Sequence, residues 1–159
     1  MKKILVLLCV IALYLACDYA TDNTSLYPDV ELVSMNPMGW YTGGTDTTVS
    51  ASIDETIFVA ENSVDCYLSK LIWTYHHEDG STFAGPEEIS LYMKVPGKTG
   101  SDADSAKLEN IQIPLLPVWQ NVQPGSQCRV QLNYVFVDEY WGSRYDTVVA
   151  WFGIYMWPQ

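Results

Sequence analysis

From Cys128 to Phe136 the chain alternates without a break: Cys128, Val130, Leu132, Tyr134 and Phe136 share one parity, and Arg129, Gln131 and Asn133 the other. A period of two belongs to a pleated strand; the apolar positions of a helix recur every three or four residues. The run therefore predicts a half-buried β-strand. Similar short β-prone runs, separated by turn residues, fill the rest of the chain, the pattern of a sandwich. A first strand is expected from Asp29 to Met35, stopped by Asn36-Pro37, and a loop over Trp40-Tyr41-Thr42-Gly43-Gly44-Thr45. Thr47 to Ala60 and Cys66 to His77 follow as strands, the second with Tyr67, Leu71, Trp73 and Tyr75 on one face and Leu68, Lys70, Ile72 and Thr74 on the other. After the Glu78-Asp79-Gly80-Ser81 turn, Ile89, Leu91, Met93 and Val95 alternate up to Pro96-Gly97. Leu108 to Leu116 contains Pro114 and so predicts an edge strand. Thr147 to Trp157 is apolar on both faces, which predicts a central or covered strand forming a hairpin with Cys128–Phe136.

The first residues carry a different signal. Met1-Lys2-Lys3 is a short basic region, and Ile4 to Ala16 is almost wholly aliphatic, the order of a secretory leader. The run is shorter than the roughly 18 apolar residues that a spanning helix needs. Leu13-Tyr14-Leu15-Ala16-Cys17 resembles the bacterial lipobox, with small Ala16 directly before the cysteine. That resemblance implies diacylglycerol on the Cys17 thiol and cleavage just before it. Residues 1–16 are then a lipoprotein signal peptide, 17–28 a polar tether, and 29–159 a single domain of the bacterial cell envelope, with inner and outer membrane left open.

Loss of Lys2 and Lys3 leaves six basic residues against nineteen acidic ones, a net charge of −13. Such a surface repels phosphate, so nucleic acid is not an expected partner. With Cys9 in the leader and Cys17 lipidated, Cys66 and Cys128 remain. In an oxidising envelope they are expected to pair as a disulfide, worth roughly 4 kcal/mol for a loop of about sixty residues; otherwise they are two small buried apolar residues.

Val122-Gln123-Pro124-Gly125-Ser126-Gln127-Cys128-Arg129-Val130-Gln131-Leu132 resembles the lead-in to the sixth strand of fibronectin type III and related immunoglobulin-like domains. Cys128 stands where that family has tyrosine, and Val122 where it has leucine. The resemblance supports an all-β antiparallel two-sheet sandwich of about seven strands, immunoglobulin-like; a small β-barrel is the alternative.

Chemistry is sparse. His76 and His77, the only histidines, are neighbours in a strand and so point to opposite faces, which argues against a shared metal. Ser101-Asp102-Ala103-Asp104-Ser105 lacks the glycine and the final glutamate of a calcium loop. No serine sits in a nucleophile motif, and no metal, cofactor or catalytic residue is assigned. Six Trp and eleven Tyr exceed what the core requires, and several fall in expected turns: Trp40 and Tyr41, then Tyr140, Trp141 and Tyr145 around Gly142. Tyr140, Trp141, Arg144 and Tyr145 are the expected ligand-binding residues, because rigid aromatics beside polar groups suit a protein partner or a sugar. The competing reading makes them lids on the sandwich. The expectation is a lipid-anchored, non-catalytic binding or structural module for a protein partner. A carbohydrate-binding module is the alternative, and a hydrolase a more distant one.

Overall fold

The alternation seen in the chain becomes two facing sheets in the computed structural model, which describes residues 27–43, 48–100, 103–139 and 144–158. Eight strands are formed: β1 (Val30–Asn36), β2 (Gly39–Thr42), β3 (Ser50–Ala60), β4 (Cys66–His77), β5 (Thr82–Val95), β6 (Ser105–Pro114), β7 (Gln127–Asp138) and β8 (Tyr145–Met156). One short helix, α1 (Leu116–Asn121), lies between β6 and β7. The smaller sheet has the order β1-β3-β6 and the larger the order β2-β8-β7-β4-β5. Two open sheets, not a closed barrel, result.

Every pairing is antiparallel except one: β2 runs parallel to β8, with Gly39 opposite Gly153 and Tyr41 opposite Tyr155. The expected Trp40–Thr45 loop is thus partly a strand. Four residues are too few to show a period, and the partner lies more than a hundred residues later. The join is close, since a Cβ on Gly39 would stand 2.9 Å from the Gly153 carbonyl oxygen; only glycine fits there.

The inward row of β7 is buried from Cys128 through Val130, Leu132, Tyr134 and Phe136 to Asp138. Against it, Phe58 of β3 packs edge-on to Tyr134 and Phe136, with ring centroids 4.9 and 5.1 Å apart. Such geometry sets the positive edge of one ring on the negative face of another and adds to the area term. Tyr75 on β4 donates its hydroxyl to the Pro114 carbonyl at 2.8 Å, joining the two sheets by a hydrogen bond. Burial pushes the Tyr134 hydroxyl up to about 12.

In β4 the expected faces hold from Leu71 to Tyr75 and invert before it. A register shift between Leu68 and Lys70 adds one residue, so Leu68 is buried while Tyr67 turns outward. The inserted Ser69 donates its hydroxyl to the Val135 carbonyl at 2.9 Å. β6 is an edge strand, as Pro114 requires. β8 lies second from the edge, and its outward row is open to solvent: Val149 is 50% and Trp151 46% exposed. The both-faced apolarity of this strand therefore does not mean that both faces are covered. α1 had no periodic signal in six residues; proline in its first turn was the one cue. Trp119 ties it down by donating Nε1–H to the Thr42 hydroxyl at 3.0 Å.

The expected Cys66–Cys128 disulfide is corrected. Cys66 opposes Asp138, and Cys128 opposes His77, at the two ends of the β4–β7 ladder. Some ten residues of strand separate them, roughly 33 Å, whereas a disulfide needs Cα atoms within about 7 Å. Both cysteines are free and buried. Burial pushes each thiol up to about 12, which makes them poor nucleophiles. Iodoacetamide should leave both unmodified in the folded protein and label both in denaturant without any reductant. A requirement for reductant would show that they are bonded after all.

A candidate binding face on the five-stranded sheet

With one parity of β7 and β8 committed to the core, the other builds the outer face of the larger sheet. The register lays its side chains in rows. One row crosses four strands as Gly39, Gly153, Arg129 and His76. On one side of it stand Tyr41, Tyr155 and Gln127, and on the other Trp151, Gln131 and Thr74. Tyr41, Tyr155 and Trp157 form a cluster with centroid separations of 5.6 to 5.9 Å. Tyr41 is 66% exposed and Trp157 55%. Trp151 rests edge-on against His76 at 5.4 Å. The His76 Nδ1 is within reach of the Gly80 carbonyl at 3.2 Å and the Thr82 hydroxyl at 3.3 Å, contacts that hold the ring under Trp151.

Between the two aromatic groups Gly153 supplies no side chain, and a Cβ placed there would meet nothing within 4 Å. A recess of about 330 Å³ opens at this point, bordered by Gly39, Tyr41, Gln127, Gly153 and Tyr155. Beside it the Gln131 amide donates to Asn133 Oδ1 at 3.1 Å, a polar strip along an apolar one.

Of the residues expected to bind ligand, Tyr140 and Trp141 lie outside the described residues, as does Cys17. Arg144 and Tyr145 are adjacent and diverge. The Arg144 guanidinium lies over the Tyr27 ring at 5.5 Å, while Tyr145 is 67% exposed at the start of β8. They do not share a described cleft. Tyr41, Trp151, Tyr155 and Trp157 are the aromatics that the structure brings together. Tyr41 falls in an expected loop, whereas Trp151 and Tyr155 fall in a strand whose two apolar faces predict that it is covered.

His76 and His77 do diverge, His77 packing on Phe83 at 4.5 Å. His77 also borders a second recess of about 360 Å³ with Glu78, Asp79, Asn121 and Gln123. Its Asp79 carboxylate is occupied by the turn, accepting from the Ser81 amide and hydroxyl at 2.8 and 2.6 Å, which hold it below the usual carboxylate range. Among the described residues no three His, Cys, Asp or Glu side chains converge as a metal site would require, and no helix is long and apolar enough to cross a membrane.

The opposite end of the face is clamped by charge. Lys94 of β5 meets Asp65 Oδ2 at 2.6 Å and Glu139 Oε2 at 3.2 Å. Tyr67 donates to the other Glu139 oxygen at 3.1 Å and stacks on Tyr92 at 4.8 Å. Asp65 also accepts from the Gly97 amide at 2.7 Å. Lys94 first, and then that amide, hold the Asp65 carboxyl below its ordinary value of 3.8; the two carboxylates in turn raise Lys94. The cluster gathers the segment before β4 and the ends of β5 and β7.

No known family pattern matches this sequence, and no curated protein does. Solved structures are similar at low identity. The periplasmic chaperone SfaE is 12% identical, with a TM-score of 0.37 over 82% of this chain and 58% of that one. This chain thus spans less than two thirds of that protein's length. A target of the Northeast Structural Genomics Consortium is 11% identical, with a TM-score of 0.40 over 81% of this chain and 83% of that one. A protein from Archaeoglobus fulgidus is 14% identical, with a TM-score of 0.39 over 79% of this chain and 91% of that one.

A depressed carboxyl stabilises the fold above its unfolded value, and that contribution disappears as pH falls through the lower folded value. Replacing Lys94 by Met should therefore lower the urea midpoint at about pH 7, and the gap from the parent should shrink as pH falls below 3.8 and through the lower folded value of Asp65. A gap that stays constant with pH would assign the loss to packing of the Lys94 stem.

Proposed function

We propose that this chain is a non-catalytic binding module held in the bacterial envelope by lipid on Cys17, with the outer face of its five-stranded sheet turned to a ligand. The exposed aromatic face of β2 and β8 carries the reading. Large rings left in water cost free energy that a bound partner recovers, and their few rotatable bonds make the ordering cheap. The clustering of Tyr41, Tyr155 and Trp157 fixes those rings before any ligand arrives.

The leader supports the location. Its basic start, aliphatic stretch and Ala16-Cys17 junction are those of a lipidated protein. Two or more acyl chains give stable anchorage where one gives only marginal binding. The polar stretch 17–28 then supplies reach, and the acidic body resists collapse onto anionic head groups. Tyr145 extends the same face of β8 towards the clamped end, and Tyr140, Trp141 and Arg144 complete the proposed contact residues. A protein or a glycan of the envelope could occupy a surface of this kind.

Radiolabelled palmitate should enter the parent in a bacterial host and be absent from Cys17→Ser; equal labelling of the two would remove the anchor. In the same cells a photo-crosslinking residue at position 149, on the outer face, should capture an envelope macromolecule. The same residue at position 107, on the smaller sheet, should not. Identical behaviour at the two positions would mean that the aromatic face is not the contact surface.

A further inference from the structure

Basic side chains are scarce on this molecule, and the described one that has no partner stands beside the recess. Nineteen acids outnumber eight bases. All four described lysines meet carboxylates: Lys70 with Glu88, Lys94 with Asp65 and Glu139, Lys98 with Glu61, and Lys107 with Glu55. Arg144 is engaged with Tyr27. Arg129 is exposed on β7 and has no ion pair, side-chain hydrogen bond or ring contact among the described residues. It lies directly across from Gly153, the floor of the recess. An unpaired guanidinium in so acidic a chain is available to one anionic group, and its planar fork matches a carboxylate by two parallel hydrogen bonds.

The walls define the rest of the ligand. Trp151 and Tyr155 flank Gly153 on the same face of β8, about 13 Å apart at four residues of rise. Tyr41, Tyr155 and Gln127 border the recess, whereas Trp151 rests on His76 beside it, and Gln127 and Gln131 offer amide donors and acceptors on the same face. Main-chain pairing is not on offer there: β8 already pairs with β2 on one side and β7 on the other. An extended peptide, which draws affinity from strand addition, is thus poorly served.

Resting on the binding-face reading above, we propose that the recess over Gly153 binds an acidic saccharide, a pyranose carrying a carboxylate, with its ring against Tyr41 and Tyr155 and its carboxylate on the neighbouring Arg129. The aromatic surfaces take the apolar C–H faces of the sugar, the glutamines its hydroxyls, and the arginine its charge.

The full-length chain in detergent is titrated with hexuronic-acid oligosaccharides and with the matching neutral hexose oligosaccharides, and binding is read by calorimetry. The acidic series should bind at least about tenfold more tightly, since a bidentate charged contact is lost in the neutral one. Arg129→Gln should abolish that preference and keep the residual affinity for both. Gly153→Val adds a side chain where nothing obstructs it and suits a strand, so its unfolding midpoint should hold while saccharide binding is lost. Equal affinity for acidic and neutral sugars in the parent, or undiminished binding by Gly153→Val, would overturn the proposal. If no saccharide binds while the position-149 cross-link persists, or if that cross-link carries a protein, the ligand assignment fails and the binding face stands. Loss of the cross-link as well would take both.

Discussion

The inward row of β7, buried at every second residue from Cys128 to Asp138, constrains the whole larger sheet. A strand has only two faces, so burying that row sends Gln127, Arg129, Gln131 and Asn133 outward with no freedom left. Register then transmits the choice. Arg129 pairs with Gly153 on one side and His76 on the other, and a slip of one residue would bring Trp151 inward and Phe152 out. Phe58 secures the arrangement from the opposite sheet by meeting Tyr134 and Phe136 together. The site is a by-product of a well-determined core.

The parts of the fold legible in the chain are those where one face is apolar and the other is not. β7 is clear for that reason, and so are β4 beyond its bulge and the final half of β5. Features set by distant partners were not legible. β2 is four residues long and owes its existence to β8, and α1 owes its place to Trp119 and Thr42. The bulge at Ser69 inverts the first third of β4, and alternation read residue by residue has no means of anticipating an insertion. The cysteines show the same limit. Their number and the expected compartment favoured a bond, yet pairing depends on a register that counting does not supply, and that register places them at opposite ends of one ladder.

The candidate site was half legible. An excess of Trp and Tyr pointed to a surface role, but composition does not distinguish a ring folded into the core from one left in water. The sequence points to Tyr140 and Trp141 because a turn is expected around Gly142 and turns are exposed. It does not point to β8, because a strand apolar on both faces ordinarily lies between two layers. Among the described residues no second layer covers this face: Val149, Trp151, Gly153 and Tyr155 point outward, between β2 on one side and β7 on the other. Gly153 was the overlooked signal, a residue without a side chain in the middle of an aromatic row, where a strand usually gains by having one.

The sheet edges bear on the proposal that recognition falls to the face. A free edge invites addition of another strand, and proteins guard against it with proline, charge or brevity. β5 carries Pro86, Glu87 and Glu88 along its edge, and β6 carries Lys107 and Pro114. β2 covers β8 and is itself only four residues long. With main-chain pairing discouraged at these three edges, the proposed ligand is one held by side chains on the flat of the larger sheet. The proposal then needs rings that bury area without moving and one charge free to orient what they hold, which is the combination of Tyr41, Tyr155, Trp151 and Arg129.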